Sequence, residues 1–76
     1  MSNKFSVTEI MNNVAVNGSV DIRTSKGHNI KRLVITRSSI GSVILCKNNE
    51  TGIKRVSIES AIRLVNEMLP IISEVK

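Results

Sequence analysis

The residue types that most often do chemistry are sparse in this chain. His28 and Cys46 are its only histidine and cysteine. His28 falls in a loop-like stretch, Ser25-Lys26-Gly27-His28-Asn29, with no companion nucleophile. One Cys with one His does not make a zinc site. The carboxylates Glu9, Asp21, Glu50, Glu59, Glu67 and Glu74 are scattered, without the paired spacing of general acid–base work. Gly18, Gly27, Gly41 and Gly52 stand in turn-like contexts, and none opens a helix as a phosphate-binding loop. The chain therefore reads as a non-enzyme with no cofactor, no metal and no small-molecule substrate.

What the spacing does offer is binding by charge. Eleven Lys+Arg against six Asp+Glu leave a formal charge of +5, and the isoelectric point is near 10.0. Such an excess favours a polyanionic partner, although the same charge can simply keep a small protein dispersed. The cations Arg23, Arg32, Arg37, Lys47, Lys54 and Arg55 lie within or beside segments of β character. No apolar run approaches the roughly 18 residues of a membrane span, and the N-terminal MSNKFSVTEIMNN lacks the apolar centre of a signal peptide. The expected compartment is cytoplasmic, nucleoid-associated or in a host cytoplasm if virus-encoded, where an unpaired thiol persists.

The elements that must position these cations follow from punctuation and periodicity. Seventy-six residues form one domain, too small to bury a large core, so association with a second chain is the natural remedy. Residues 1–5 read as a loose end. Ser6-Val7-Thr8-Glu9 is a capping box for a helical turn through Met11 that ends at Asn12-Asn13. Val14-Ala15-Val16 and Val20-Asp21-Ile22 flank Asn17-Gly18, a hairpin signal. A two-residue turn there would put the two valine-rich pairs on opposite faces, and a three-residue connection would unite them. Ile30–Arg37, Ser42–Asn48 and Ile53–Ile58 read as strands joined by turns at Ser38–Gly41 and Asn49–Gly52. Ser57 is a good N-cap for a final helix. Its stripe of Ile58, Ala61, Ile62, Val65, Met68, Leu69 and Ile72 would cover the sheet, and Pro70 should kink or restart it. The expected fold is α+β: a four- to five-stranded antiparallel curved sheet followed by one C-terminal helix, ββββα. Residues 1–13 form an arm or short helix, 14–58 the sheet and 59–75 the helix.

Register decides what the sheet displays. If Asn49 opposes Ile53 and the middle turn is Ser38–Gly41, Leu33/Cys46/Val56 and Ile35/Ile44/Ile58 form a core face. The opposite face then carries Val34/Leu45/Ser57 and, beside it, Arg32/Lys47/Arg55. Pairing Ile22 with Leu33 adds Arg23 to that row and Val20 to the core. Like charges directly opposite one another are destabilising, so a stacked cationic row suggests a track for a bound polyanion. The bland alternative is a solvated face whose long side chains splay apart.

Four strands running into a C-terminal helix carry Lys31-Arg32-Leu33-Val34-Ile35-Thr36-Arg37, Gly41-Ser42-Val43-Ile44-Leu45 and Lys54-Arg55-Val56-Ser57-Ile58. Over about residues 19–76 this pattern resembles the positive cofactor four family of transcriptional coactivators, which bind single-stranded DNA. The resemblance implies a homodimer that holds unpaired DNA on curved sheets, with roles in transcription, replication or recombination. By position it implies DNA contacts at Arg37, Ser39, Lys54 and Arg55. The chain departs from the family at Ser39, where a phenylalanine is usual, and at Arg55, which replaces a glycine. It also lacks the family's sheet aromatic, Phe5 being its sole aromatic residue.

The expected function is thus a homodimeric, largely sequence-independent single-stranded-DNA-binding protein. Arg23, Arg32, Arg37, Lys47, Lys54 and Arg55 would neutralise phosphates and Ser39 would assist. A second apolar stripe, Leu64, Met68, Ile71 and Val75, would pack on the partner subunit, unless it is instead a contact with the N-terminal segment. The alternatives are a basic module that docks an acidic protein, and a duplex binder that lays strands in the major groove.

Overall fold

Ser6 has an extended backbone, and its hydroxyl accepts a hydrogen bond from the Glu9 amide at 3.1 Å. That satisfies a donor which helix geometry leaves without a partner. The helix so begun, α1, runs Val7–Asn17 in the computed structural model, which describes residues 5–25, 29–48 and 54–76. It is longer than the capping box alone suggested. Ile10 and Val14, one turn apart, are both buried; Val14–Val16 is the last helical turn rather than a strand. Gly18 is not a hairpin turn but the helix stop: its φ is 92°, and its N–H closes on the Val14 carbonyl at 3.0 Å. An L side chain at that φ costs roughly 1–2 kcal/mol. No atom would contact an added Cβ, so the effect is purely conformational. Gly18→Ala should lower the unfolding free energy by that amount in urea titrations, and Gly18→Asn by clearly less.

After α1 come β1 (Ser19–Thr24), β2 (Arg32–Arg37), β3 (Ser42–Lys47), β4 (Lys54–Ser57), α2 (Ile58–Met68), one 3-10 turn (Leu69–Ile71) and β5 (Ile72–Val75). All five strands are antiparallel in one sheet, ordered β4-β3-β2-β1-β5. The fold is α+β as expected, but a helix precedes the ββββα run and a fifth strand follows it. The expected helix 59–75 stops at Met68. Pro70 lacks an N–H and clashes one turn back, so it sits in the 3-10 turn and releases Ile72–Val75 to pair with β1.

The β1–β2 register is the expected one: Val20 opposes Ile35, Ile22 opposes Leu33 and Arg23 opposes Arg32. The β2–β3 register is displaced by one residue, with Leu33 against Lys47, Ile35 against Leu45 and Arg37 against Val43. The connecting loop is three residues long, Ser39-Ile40-Gly41, closed by Ser42 N–H to Ser39 O at 3.1 Å, and Gly41 adopts φ 82°. A left-handed residue after a tight turn is the usual three-residue hairpin. The loop is one residue shorter than the expected Ser38–Gly41 turn, and that single-residue shift exchanges the two faces of β3. Val43 and Leu45 therefore point into the core, while Ile44 and Cys46 do not. The β3–β4 register is displaced further, with Val43 against Val56 and Leu45 against Lys54. The turn expected at Asn49–Gly52 lies outside the described residues, as do His28 and residues 1–4 of the expected N-terminal end.

Both helices pack on one face of the sheet. The core joins Ile10 and Val14 of α1, Ala61, Val65 and Met68 of α2, and Val20, Ile22, Leu33, Ile35, Val43, Leu45 and Ile72 of the strands. Ser57 caps α2 as expected, its hydroxyl accepting from the Ser60 amide at 3.1 Å. Ile58 and Ile62, expected to cover the sheet, are instead 38% and 39% exposed.

Candidate nucleic-acid interface

Side chains alternate between sheet faces. Given the observed registers, the face away from the helices displays Asp21 and Arg23 of β1, Arg32, Val34 and Thr36 of β2, Ile44 and Cys46 of β3, Arg55 of β4 and Glu74 of β5. No described helix covers it. Val34, Ile44 and Cys46 are half-buried there and contribute nothing to the core on the other side. They make an apolar strip across β2 and β3, with Arg23 exposed at one end of the sheet and Arg55 exposed toward the other.

The four-strand cationic row does not form. Arg23 and Arg32 are neighbours as expected. Lys47, however, opposes Leu33 and so lies on the helix side of the sheet. Arg55 opposes Ile44, which in turn opposes Thr36, four residues along β2 from Arg32. Lys54 opposes Leu45 and also belongs to the helix side. Lys54 and Arg55 stand on an edge strand, where cations deter unwanted pairing with another chain; that role needs no ligand. Arg37 is also turned to the helix side. Its Nη1 donates to the Ala15 carbonyl at 2.7 Å, in the last turn of α1, where a cation is favoured by the helix dipole. Ser39 remains exposed in the β2–β3 turn, with its hydroxyl 2.8 Å from that of Ser42.

Arg32 is committed within the fold. Its Nε donates to both Asp21 carboxylate oxygens at 3.0 and 3.1 Å, and its Nη2 donates to Oδ2 at 2.7 Å. This is the bidentate geometry that makes Arg–carboxylate pairs strong. The hydrogen bonds from Arg32, aided by its charge and those of Arg23 and Lys76, hold the Asp21 carboxyl below the ordinary carboxylate range, against a smaller opposing effect of burial. The same pair raises the Arg32 guanidinium. A depressed carboxylate contributes stability that is complete above its unfolded-state pKa and is lost as pH falls through the folded value. Wild-type stability should therefore drop on acidification more steeply than that of Asp21→Asn. The gap between the two, measured by urea unfolding across acidic pH, should be largest near neutrality and close at low pH.

Asn48 was not singled out by the sequence, yet it fixes this end of the sheet. It has φ 51°, a conformation in which Asn is enriched. Its Oδ1 accepts from the Lys31 and Arg32 amides at 2.7 and 3.2 Å, and its Nδ2 donates to the Asn29 carbonyl at 3.0 Å. An asparagine following a β-rich run is the only sequence signal for it.

The expected partner-facing stripe is dispersed. Met68 is 2% exposed and belongs to the core. Leu64 lies on α2, Ile71 in the 3-10 turn and Val75 on β5 opposite Ile22, all half-buried against that same core. The stripe presupposed one helix through residue 75, which Pro70 ends. Among the described residues no helix is long and apolar enough to cross a membrane. Comparison with known proteins finds no matching family model, curated protein or solved structure.

Proposed function

We propose that the protein binds single-stranded nucleic acid, in a homodimer and with little regard to sequence, on the open face of its sheet. The observation that carries this reading is the make-up of that face: a helix-free surface on which exposed Arg23 and Arg55 flank the half-buried strip of Val34, Ile44 and Cys46. Unpaired bases offer apolar faces to such a strip while their phosphates meet the flanking cations. A duplex keeps its base faces stacked inside and can offer only phosphates. Stacking on aromatic side chains contributes roughly 1–3 kcal/mol per base where present. Here the sheet has none, so phosphate contacts dominate affinity and the base contribution is aliphatic and weakly selective. The order of four strands and then a helix is the feature on which the likeness to the positive cofactor four family rests. A protein of this kind would serve processes that expose unpaired DNA, namely transcription, replication or recombination.

Competition in a gel-shift assay tests the reading. Unlabelled single strands of mixed sequence should displace a labelled single-stranded oligonucleotide at least about tenfold more effectively than the matching duplex, which corresponds to roughly 1.4 kcal/mol. Equal competition by duplex, or strong dependence on base sequence, would overturn it.

A further inference from the structure

On the helix side, a groove of about 400 Å³ opens between α1, the start of α2 and the β2–β3 turn. Its lining is mainly aliphatic: Met11, Val14 and Ala15 of α1, Ile40 of the turn, Val43 of β3 and Ile58 of α2. On its rim Ile40 stands at the tip of the turn, wholly exposed at 105%, in a position that polar or small residues usually occupy. Of the four large hydrophobic residues that are exposed among those described, three belong here: Ile40, Ile58 and, one helical turn further along α2, Ile62.

We propose that this face is the contact between two copies of the chain, related by a two-fold axis, with Ile40 of each copy seated in the groove of the other. The surface complements itself because an aliphatic knob and an aliphatic groove lie side by side, which is what a two-fold interface requires. Charge selects the same arrangement. Glu59 and Arg63 are both exposed and lie next to Ile58 and Ile62 on one flank of α2. When two α2 helices meet antiparallel about that flank, Glu59 of each copy faces Arg63 of the other. A parallel meeting would oppose like charges. The groove alone is too small for a stable interface, which buries roughly 800 Å² per partner; the α2 flank and the 38–42 turn extend it. This placement rests on the proposed function only in its claim of a homodimer, and it leaves the open sheet face uncovered in both copies.

Sedimentation velocity on the nucleic-acid-free protein over a range of concentrations provides the test, so a failure of nucleic-acid binding has no bearing on it. The wild type should be a dimer. Ile40→Ser should weaken dimerisation at least about tenfold, as expected for a central anchor, with its far-UV spectrum unchanged because the side chain is wholly exposed within one copy. Glu59→Arg and Arg63→Glu should each weaken dimerisation, and combining both substitutions in one chain should restore it, since each cross-copy pair is then reversed. A wild-type monomer at about 100 μM, a concentration at which even weak specific pairs associate, would overturn the proposal. So would a dimer indifferent to Ile40→Ser, or a doubly reversed chain no better than the single variants.

Discussion

Leu45→Ala should destabilise the fold by about 3 kcal/mol, while Ile44→Ala, one residue away, should cost less than about 1 kcal/mol. Leu45 is 5% exposed within the core, and Ile44 lies half-buried on the uncovered face. Truncating Leu45 leaves a cavity beneath α2 that its neighbours only partly fill. Truncating Ile44 leaves a surface that water already reaches. For a domain of this size 3 kcal/mol lowers the melting temperature by about 15 °C. Native stabilities of small domains are only several kcal/mol, so the Leu45 variant sits close to unfolding at room temperature. Paired urea titrations measure the contrast. A result with the two costs exchanged would show that β3 is turned the other way, with Ile44 and Cys46 inside, and would remove the apolar strip from the proposed binding face.

Affinity for a single-stranded oligonucleotide should fall about fiftyfold between about 50 and 200 mM monovalent salt. The figure follows from about four neutralised phosphates, met by Arg23 and Arg55 of both copies in the proposed dimer, which gives a slope of roughly −3 in log affinity against log salt. Arg23→Ala and Arg55→Ala each remove one cation from both copies, so each should reduce that slope by roughly 1.4 and weaken binding by a similar factor on any base sequence. Arg32→Ala should carry a different signature. Arg32 is bound to Asp21 through both carboxylate oxygens, so its removal leaves an unpaired carboxylate and lowers stability at neutral pH before it changes any salt slope. Fluorescence-anisotropy titrations at several salt concentrations check all three variants. Binding that ignores salt would overturn the phosphate-dominated reading.

Local chemistry was legible wherever a single residue type dictated the outcome. Ser6 and Ser57 announced two helix starts, and alternation in two strands put Ile22 and Leu33 on one face once their pairing was supposed. Three outcomes were not legible, each for a physical reason. Val14-Ala15-Val16 suits a strand or the last turn of a helix equally well, and only packing of Ile10 and Val14 on the sheet decides between them. Ser38–Gly41 reads as a turn under either register, but a loop one residue shorter exchanges the faces of β3, and with them the fates of Leu45 and Cys46. Ile72–Val75 continues a helical stripe on paper, whereas Pro70 and the open edge of β1 draw it into the sheet. The candidate site suffered most, because it was assembled from registers. A one-residue displacement moved Lys47 to the helix side, a further displacement in β4 separated Arg55 from Arg32, and the commitment of Arg32 to Asp21 depends on a diagonal contact that spacing alone does not reveal.

The pairing of β5 with β1 joins segments about fifty residues apart, with the Ser73 hydroxyl donating to the Arg23 carbonyl across that span. During synthesis, β1 emerges early and keeps one bare edge until Ile72–Val75 has left the ribosome. Closure of the β1 edge then waits on a segment made about fifty residues later, and slow translation between α2 and β5 would lengthen the interval in which β1 can recruit a neighbouring nascent chain.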